Sequence, residues 1–408
     1  MREVAIVGAG MTRFGKYMDR SLKDLAREAV DAALESARID KSTPQVAIVG
    51  NAAAGLAVGQ ECVRAQVVLR EMGIEGIPMI NTENACASSS TALQLAWLYV
   101  ASGMYDVALA VGMEKTYLAD KAKQFAMFTA GIDVELAQKM ITHMKAAAEK
   151  AAGVATGQAG EPGKSRSVFM DIYAAGARAH MARYGTTKEQ FVKVAVKNHY
   201  NGSLNPHAQY RERYSAEEIV ASPLVAEPLH RLMCAPIGDG AAAAVLVAAD
   251  RVAQYTTKPV WIRGSAIASG TDTRTPGITE RAAKTAYEMA GIGPEDINVA
   301  EVHDATSPAE IILYEELGLC APGEGGRLID EGATEIGGRI PVNTSGGLLA
   351  KGHPVGATGI AQLYELFLQL RGEAGDRQVQ GAKVGLTENG GGMVRGEAAA
   401  ASVHILSI

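Results

Sequence analysis

The residue best placed for nucleophilic chemistry is Cys86, in the segment NTENACASSSTALQLAWLYVASG. The sequence predicts a strand that ends near Ile80 and a helix over 87–100, which has no charged residue and is therefore buried. The free N–H groups and positive dipole at the start of this helix would stabilise a thiolate, lower the pKa of Cys86 and hold an oxyanion. A packed core thiol is the alternative role for this cysteine.

A glycine-rich loop in the second half of the chain, NTSGGLLAKGHPVGATGIAQL, carries His353. A histidine beside a cysteine thiol can take its proton and so activate the sulfur. Glycines let the backbone approach a ligand closely, and this loop contains Gly346, Gly347, Gly352, Gly356 and Gly359. By itself, a glycine-rich loop with a histidine is only weak evidence for a catalytic site. A structural role is the alternative for His353.

His303 lies in EVHDATSPAEI, directly after a buried strand, where the ligand sites of α/β proteins cluster. Its imidazole could donate a hydrogen bond to a developing oxyanion or enolate. For the neighbouring Asp304 we expect a structural role, capping the helix that follows.

The segment LTENGGGMVRGEA places Glu388 between a strand and three glycines. The glycine N–H groups, including that of Gly390, form a plausible oxyanion nest. A carboxyl in an apolar pocket has a raised pKa and can act as a general base, so Glu388 is a candidate for proton transfer. A hydrogen-bonded structural carboxylate is the alternative.

An internal repeat indicates which elements position these residues. VAIVGNAAAG from Val46 resembles VAEVHDATSP from Val299, and the Cys86 segment resembles the His353 segment. VALAVGMEKTY resembles KVGLTENGGG, with Glu114 opposite Glu388, and GAAAAVLVAAD resembles EAAAASVHILSI. Apolar strands alternate with helices over 21–37, 280–290 and 360–370, which predicts buried α/β layers in two similar halves. Packing the halves about a pseudo-two-fold axis would bring the Cys86 and His353 loops together.

The stretch 117–224 interrupts the repeat. It contains methionine-rich amphipathic sequence over 125–144, a glycine-rich linker over 153–163 and an alanine-rich helix over 170–184. We expect an inserted helical cap over the active site, and a dimerisation surface is the alternative, which does not exclude the cap.

Composition narrows the class of protein. The chain has 408 residues and a net charge of −6 without a basic stripe, so a nucleic-acid role is not expected. No apolar run has the length of a membrane span and no signal peptide is recognisable, which favours a cytoplasmic protein. The four cysteines form no CxxC pair, so the sequence predicts no metal site and suggests reduced thiols.

Taken together, NAC with small residues, HDA, NxSGGxxxKGHPxGATG and a terminal GGG loop resemble the thiolases, most closely the sterol-carrier-protein-type and archaeal-type branch. The resemblance covers essentially the whole chain. It implies a five-layer αβαβα fold with an N-terminal half over 1–250, which includes the inserted region, and a C-terminal half over 251–408.

The resemblance also implies a reaction. Cys86 would attack a 3-ketoacyl-CoA carbonyl, His353 would activate it and share an oxyanion hole with His303, and an acyl-Cys86 intermediate would pass its acyl group to coenzyme A. The N–H groups of Cys86 and Gly390 would form a second oxyanion hole, with Gly352 and Asn343 also expected in the substrate-binding region. Coenzyme A would be a substrate, and we expect no bound cofactor.

The sequence departs from the thiolase pattern at the second cysteine, which normally transfers the α-carbon proton. Its two usual positions hold Glu388 and Ala305, so Glu388 or His303 would move this proton. The departure also suggests a bulky or aromatic acyl group, as in benzoylsuccinyl-CoA thiolase subunits. The resemblance implies a homodimeric core, with a small OB-fold/zinc-ribbon subunit as a further partner.

Two alternatives remain open on the sequence. Cys86, His303 and His353 also match the Cys-His-His set of ketoacyl-synthase-like condensing enzymes, although the GHPxGATG segment favours a thiolase. The absent second cysteine is the feature that favours a non-catalytic acyl-CoA- or lipid-binding subunit.

Overall fold

The structure is a computed structural model, and it describes residues 1–135, 167–273 and 275–408. Its strands are β1 (Val4–Met11), β2 (Val46–Gly50), β3 (Met79–Thr82), β4 (Val107–Glu114), β5 (Leu224–Ala226), β6 (Leu229–His230), β7 (Gly240–Ala248), β8 (Val260–Ser269), β9 (Val299–Glu301), β10 (Val384–Gly391) and β11 (Ala400–Ser407). The strand predicted to end near Ile80 corresponds to β3, and the buried strand predicted before His303 corresponds to β9.

The helices alternate with these strands. They are α1 (Leu22–Ala37), α2 (Ala54–Val58), α3 (Arg64–Glu71), α4 (Ser88–Ala101), α5 (Lys121–Thr129), α6 (Phe169–Tyr184), α7 (Lys188–Leu204), α8 (Ala216–Ala221), α9 (Ile278–Ala290), α10 (Ser307–Glu316), α11 (Gly325–Asp330), α12 (Gly347–Ala350) and α13 (Thr358–Arg371). None of those within the described ranges is long and apolar enough to cross a membrane.

The main sheet consists of two half-sheets with the same internal order. The first runs β3-β2-β4-β7-β1 and the second runs β8-β11-β10-β9, and they join where β1 pairs with β8. In each half one central strand, β4 or β10, lies between a parallel and an antiparallel neighbour. The counterpart of β3 is reduced to a single parallel bridge between Ala300 and Val342. This topology is the structural form of the repeat seen in the sequence.

Helices α4 and α13 form the central layer between the half-sheets. Helices α1 and α3 cover the outer face of the first half-sheet, and α9 and α10 cover the outer face of the second. Leu93 of α4 is fully buried, and burying a leucine side chain contributes roughly 1.5–3 kcal/mol. The predicted five-layer αβαβα arrangement of two similar halves is confirmed.

Close contact between the central helices depends on glycine. A Cβ atom on Gly359, in the first turn of α13, would overlap Ser90 of α4. The Oγ atom of Ser89 accepts a hydrogen bond from the Ile360 N–H at 3.2 Å. The starts of α4 and α13 therefore lie against one another, and the loops that precede them are held at the same place.

The segment over 117–224 carries α5 to α8, and the small β5–β6 ribbon follows it. The predicted helix over 170–184 corresponds to α6, which packs against α10 of the second half. Of the predicted helix over 125–144, the structure shows the part inside α5, which ends at Thr129. The remainder from 136 onward and the predicted linker over 153–163 lie outside the described residues.

Candidate active site

Cys86 lies in a tight helical turn, Ala85–Ala87, between the end of β3 and the start of α4. Ala85 has a φ of 48°, a left-handed conformation that costs a non-glycine residue on the order of 1 kcal/mol. A Cβ atom on Gly391 would overlap the carbonyl of Asn84. The absence of a side chain at Gly391 therefore lets the glycine loop after β10 lie directly against the cysteine turn.

Burial has the largest effect on the Cys86 thiol and raises its pKa to about 12. The N–H groups of Gly392 and of Cys86 itself donate towards the sulfur and lower the pKa, but they do not offset the loss of water. The sequence-based expectation of a lowered pKa is therefore wrong. The physical reason is that helix-end donors compete here with a desolvation cost that the sequence pattern does not reveal.

His353 lies next to the thiol, with 3.3 Å between its Nε2 atom and Cys86 Sγ. Its Nδ1 atom is 2.7 Å from the Thr358 hydroxyl, which itself donates to the Pro354 carbonyl at 3.1 Å. Because that hydroxyl proton is engaged, Thr358 accepts the Nδ1–H, and Nε2 presents a lone pair to the thiol. Burial, with smaller contributions from His303 and Lys351, holds the pKa of His353 well below its usual value. The pair is therefore a neutral imidazole base beside a neutral thiol.

His303 follows β9 and faces the same point, with its ring centroid 5.1 Å from that of His353. Burial lowers its pKa to about 4, and a hydrogen bond to the Gly390 backbone opposes this shift. Its Nε2 atom is fully buried without a hydrogen-bond partner among the described residues. An unpaired buried nitrogen costs free energy, so its position indicates a group that meets a ligand.

Glu388 lies in β10 beside His303 and is 1% exposed. One carboxylate oxygen, Oε2, accepts the His303 N–H at 3.0 Å. Burial is the largest influence on Glu388 and raises its pKa to about 8, helped by the negative charge of Glu316 and opposed by the His303 N–H. A carboxyl with a pKa in this range can exchange a proton near neutral pH, as a general acid or base requires.

Asp304 has a structural role, as expected, but it caps a different helix. Its carboxylate accepts N–H groups from Leu348 at 2.6 Å and Leu349 at 3.4 Å, in the short helix α12, and the side-chain amide of Asn198 at 2.7 Å. The expectation that it caps the following helix, α10, is wrong. Asp304 instead ties the loop after β9 to the segment that leads to His353.

Of the three other residues predicted to bind substrate, Gly390, Gly352 and Asn343, only the first lies among the candidate catalytic side chains. Gly390 lies beside two of the candidate catalytic groups, since a Cβ atom there would be 3.6 Å from His303 Nδ1 and 3.7 Å from Glu388 Oε1. Gly352, with a φ of 107°, packs against Gln209 and Phe14 instead. Asn343 uses its side chain within the framework, because its Oδ1 accepts the Val302 N–H and its Nδ2 donates to Glu310. The structure thus brings Gly390 to the site and not the Asn343 side chain.

Sequence reasoning missed two groups at this site. Thr358 orients His353 and lies inside a motif whose neighbours were recognised, whereas the Gly392 N–H, which points at Cys86, belongs to the glycine nest predicted from the sequence. Tyr173 of α6 interacts electrostatically with Cys86, Glu388 and Asp304, and burial is the main factor that raises its pKa. No sequence signal marks Tyr173, because only the packing of the inserted segment brings it to the site.

The comparisons with known proteins agree with this geometry. Residues 4–250 match the family model of the thiolase N-terminal domain, and residues 262–407 match that of the thiolase C-terminal domain. The acetyl-CoA acetyltransferase of Methanothermobacter thermautotrophicus is 41% identical over all of both chains. The benzoylsuccinyl-CoA thiolase subunit BbsB of Thauera aromatica is 36% identical, with 97% of this chain and 96% of that protein covered.

Solved structures show the same fold. The Ltp2–ChsH2(DUF35) aldolase structure matches with a TM-score of 0.77 and 26% identity, covering 99% of this chain and 97% of the other. Human mitochondrial 3-ketoacyl-CoA thiolase matches with a TM-score of 0.73 and 17% identity, over 100% and 99% of the two chains. The two domain matches, the full-length relatives and the shared fold establish that this chain belongs to the thiolase family of acyltransferases that act on acyl-CoA.

Proposed function

We propose that this protein cleaves a 3-ketoacyl-CoA with coenzyme A, or runs the reverse Claisen condensation, through an acyl group carried on Cys86. The observation that carries this proposal is the Cys86–His353 pair, with 3.3 Å between Sγ and Nε2 and with Thr358 fixing the tautomer that accepts a proton. In the cleavage direction the thiol proton passes to His353 as the sulfur attacks the keto carbon. A neutral buried pair suits this order, since the charges appear only when the substrate is present.

The next step breaks the bond between the keto carbon and the α-carbon. It leaves the acyl group as a thioester on Cys86 and an enolate of the departing acyl-CoA, whose α-carbon takes up a proton. Coenzyme A then attacks the thioester, and Cys86 regains its proton. One oxyanion would be bound by His303 together with His353, and His303 must carry its proton on Nε2 to donate in this way. The other would be bound by the Cys86 N–H with the Gly392 N–H, which we propose in place of the expected Gly390 N–H because Gly392 is the glycine that donates towards the sulfur.

Glu388 is our candidate for the acid that protonates the α-carbon. The ordinary pKa of a cysteine thiol is about 8.5, and burial brings the pKa of Glu388 to about 8. The carboxyl therefore has nearly the acidity of the cysteine that thiolases usually employ at this step. Its position beside His303, in the strand that leads to the glycine loop, supports the same role.

We extend the proposal to a bulky or aromatic acyl group and to a partner subunit. The 36%-identical relative from Thauera aromatica is a subunit of benzoylsuccinyl-CoA thiolase, and the 26%-identical structure is an Ltp2–ChsH2(DUF35) assembly. We therefore propose a cytoplasmic homodimeric core that works with a small OB-fold/zinc-ribbon subunit. Co-purification from the native source, followed by mass spectrometry of bound proteins and acyl-CoA, tests both the partner and the acyl group.

A Cys-His-His condensing enzyme is a second candidate, since one donor atom from each of Cys86, His303 and His353 lies within 4.8 Å of the others. Ketoacyl-synthase-like enzymes use this set to condense a decarboxylated malonyl unit. Supplying a 3-ketoacyl-CoA with coenzyme A, or an acyl-CoA with malonyl-CoA, separates the two. Thiolytic cleavage supports a thiolase, and malonyl-dependent condensation alone would favour the synthase.

The acyl intermediate is tested by intact-protein and peptide mass spectrometry after exposure to a 3-ketoacyl-CoA. We expect one acyl adduct, on Cys86, in the native protein and in a Cys62→Ser control, because Cys62 is exposed and outside the site. Cys86→Ser should form no thioester. Absence both of an adduct and of thiolytic cleavage in the native protein would favour a non-catalytic binding subunit instead.

The role of Glu388 is tested separately by exchange of the α-protons of acetyl-CoA in deuterated water. The native enzyme should exchange these protons, Glu388→Gln should not, and Glu388→Cys should restore part of the exchange because a thiol has similar acidity. Full exchange in Glu388→Gln would transfer the role to another group, with His303 the first to examine.

A further inference from the structure

We infer that Cys86, His303 and His353 form a binding site for a zinc-like divalent cation, which blocks the nucleophile reversibly. One donor atom from each residue lies within 4.8 Å of the other two. The three donors are one sulfur and two imidazole nitrogens, a set that favours zinc over magnesium or calcium. The sequence contains no metal-binding pattern of the usual kind, because these donors come from three separate loops.

The orientation of both imidazoles supports this inference. His353 is held through Nδ1 by Thr358, so that Nε2 presents its lone pair towards the sulfur. His303 has Nδ1 beside the Gly390 backbone, whereas Nε2 is buried and has no partner among the described residues. Histidine ligands of metal ions are typically held in this way, with one nitrogen fixed by a second group and the other free to coordinate.

The separations are close to those that zinc requires. Zinc–sulfur and zinc–nitrogen bonds of about 2.3 and 2.0–2.1 Å at tetrahedral angles place the ligand atoms roughly 3.3–3.6 Å apart. Cys86 Sγ and His353 Nε2 are already 3.3 Å apart. All three donor atoms lie within 4.8 Å of one another, so the third donor needs to approach the other two by roughly 1.5 Å at most, which rotation of a side chain provides. A water molecule or anion would complete the coordination.

Charged groups of both signs lie near the site, and the one positive group that acts on His353, Lys351, is ion-paired with Glu301 at 3.3 Å. Binding replaces the thiol proton with the metal, releases that proton to solvent and leaves a zinc-bound thiolate, which adds one net positive charge to the site. Glu114 interacts electrostatically with Cys86, and Glu388 lies beside His303. Metal binding and acylation both use the sulfur atom, so they exclude one another.

The experiment uses the full chain after removal of metals with a chelator. Zinc binding is measured by titration calorimetry, and cobalt binding by the near-ultraviolet absorption of a cobalt–thiolate bond. We expect one site per chain and the thiolate band in the native protein and in the Cys62→Ser control, whose substitution removes an exposed thiol. Alkylation of Cys86 should abolish both signals. Because the readouts are binding and absorption, they do not depend on whether the protein is a thiolase.

Two ligand variants provide the decisive comparison. Cys86→Ser should lose the cobalt–thiolate band, and His303→Ala should bind zinc at least tenfold more weakly while retaining its native circular dichroism. His303→Gln, with a larger side chain, gives a second variant if His303→Ala does not fold. The inference is overturned if native protein binds zinc no more tightly than Cys86→Ser, or if Cys62→Ser removes the site.

Discussion

Glu114 and Glu388 occupy corresponding positions in the two halves of the molecule, and their surroundings differ. Each lies in the central strand of its half-sheet, β4 or β10, and each is almost completely buried. Glu114 accepts hydrogen bonds from five groups: the side chain of Asn51 and the N–H groups of Ala52, Ala53, Lys115 and Gly356. Among the described residues, Glu388 accepts one, from the His303 N–H.

The difference in hydrogen bonding distinguishes a structural carboxyl, Glu114, from a candidate for proton transfer, Glu388. Glu114 crosses between the halves and holds the loop that carries His353 through the Gly356 N–H at 3.0 Å. Glu388 has an oxygen, Oε1, for which no hydrogen bond to a described residue is found, and its pKa is raised to about 8 by burial. Two copies of one element have thus kept a carboxyl group at the same place. One holds the loop that carries His353, and the other is our candidate for proton transfer.

The largest expected effect comes from replacing the two carboxyls in turn. Glu388→Gln should lower kcat for thiolytic cleavage by about 10²–10⁴-fold, the range expected for loss of a general acid or base. Glu114→Gln should lower kcat per folded molecule by less than about tenfold, because this carboxyl does not exchange a proton with the substrate. Steady-state kinetics with a 3-ketoacyl-CoA and coenzyme A, normalised to folded protein, gives the comparison.

The control for this comparison is transfer of an acyl group between thiols, which needs Cys86 and His353 but no α-proton. Glu388→Gln should retain that exchange. Equal loss of cleavage in the two variants, or loss of acyl exchange in Glu388→Gln, would remove the distinction between a structural and a catalytic carboxyl.

The two substitutions should change stability in opposite directions. Glu114→Gln leaves backbone donors without an acceptor and should lower the free energy of unfolding at pH 5 by roughly 3 kcal/mol, at about 1–3 kcal/mol for each unpaired buried donor. Burial raises the pKa of Glu114 as well, so this loss should become smaller as the pH rises. Glu388→Gln should raise the free energy of unfolding at pH 9, because the variant no longer has to bury an ionised carboxylate. Urea unfolding at pH 5 and pH 9 provides the measurement.

The direction in which Glu388 changes the free energy of unfolding follows from its two pKa values. The pKa is about 8 in the folded state and about 4.3 in the unfolded state. Its favourable contribution is complete below the unfolded pKa and is lost as the pH rises through the folded pKa, since the folded state binds more protons in that interval. The advantage of Glu388→Gln should therefore grow between pH 5 and 9 by several kcal/mol, at about 1.4 kcal/mol per pKa unit. A constant difference across this range would contradict the raised pKa.

The two reaction directions should have opposite pH dependences governed by the same group. Cleavage needs the protonated form of Glu388 to protonate the α-carbon, so its rate should be level below about pH 8 and fall above it. Condensation needs the ionised form, so its rate should rise up to about pH 8 and then level off. Initial rates in both directions from pH 6 to 10 test this, and the residual activity of Glu388→Gln should lack both transitions.

Much of the framework was predictable from local sequence. Buried strands such as β1 and β2 are apolar, and α1 begins at the capping residue Ser21 where its helical periodicity begins. The repeat also placed Glu114 opposite Glu388 and the Cys86 loop opposite the His353 loop. These predictions succeeded because periodicity and turn-forming residues reflect interactions between neighbours in the chain.

The electrostatics of the site could not be predicted in the same way. Helix-end donors were expected to lower the pKa of Cys86, whereas burial raises it to about 12. Asp304 was expected to cap α10 and instead caps α12, which is more than 40 residues away in the chain. Both outcomes depend on desolvation and on contacts between distant segments. The electrostatic interaction of Tyr173 with Cys86 could not be predicted either, since it follows from the packing of α6.

The smallest expected effect concerns a second supporting group, Thr358, which acts on His353 directly. Thr358→Val keeps the shape of the side chain but removes the oxygen that accepts His353 Nδ1–H at 2.7 Å. One hydrogen bond contributes about 0.5–1.5 kcal/mol, so acylation of Cys86 should slow by about tenfold or less, with little change in KM. Exchange of acetyl-CoA α-protons should stay near the native rate, since Glu388 is untouched. If Thr358→Val slowed exchange as strongly as acylation, support of His353 and proton transfer by Glu388 would be coupled, and the contrast between structural and catalytic groups would need revision.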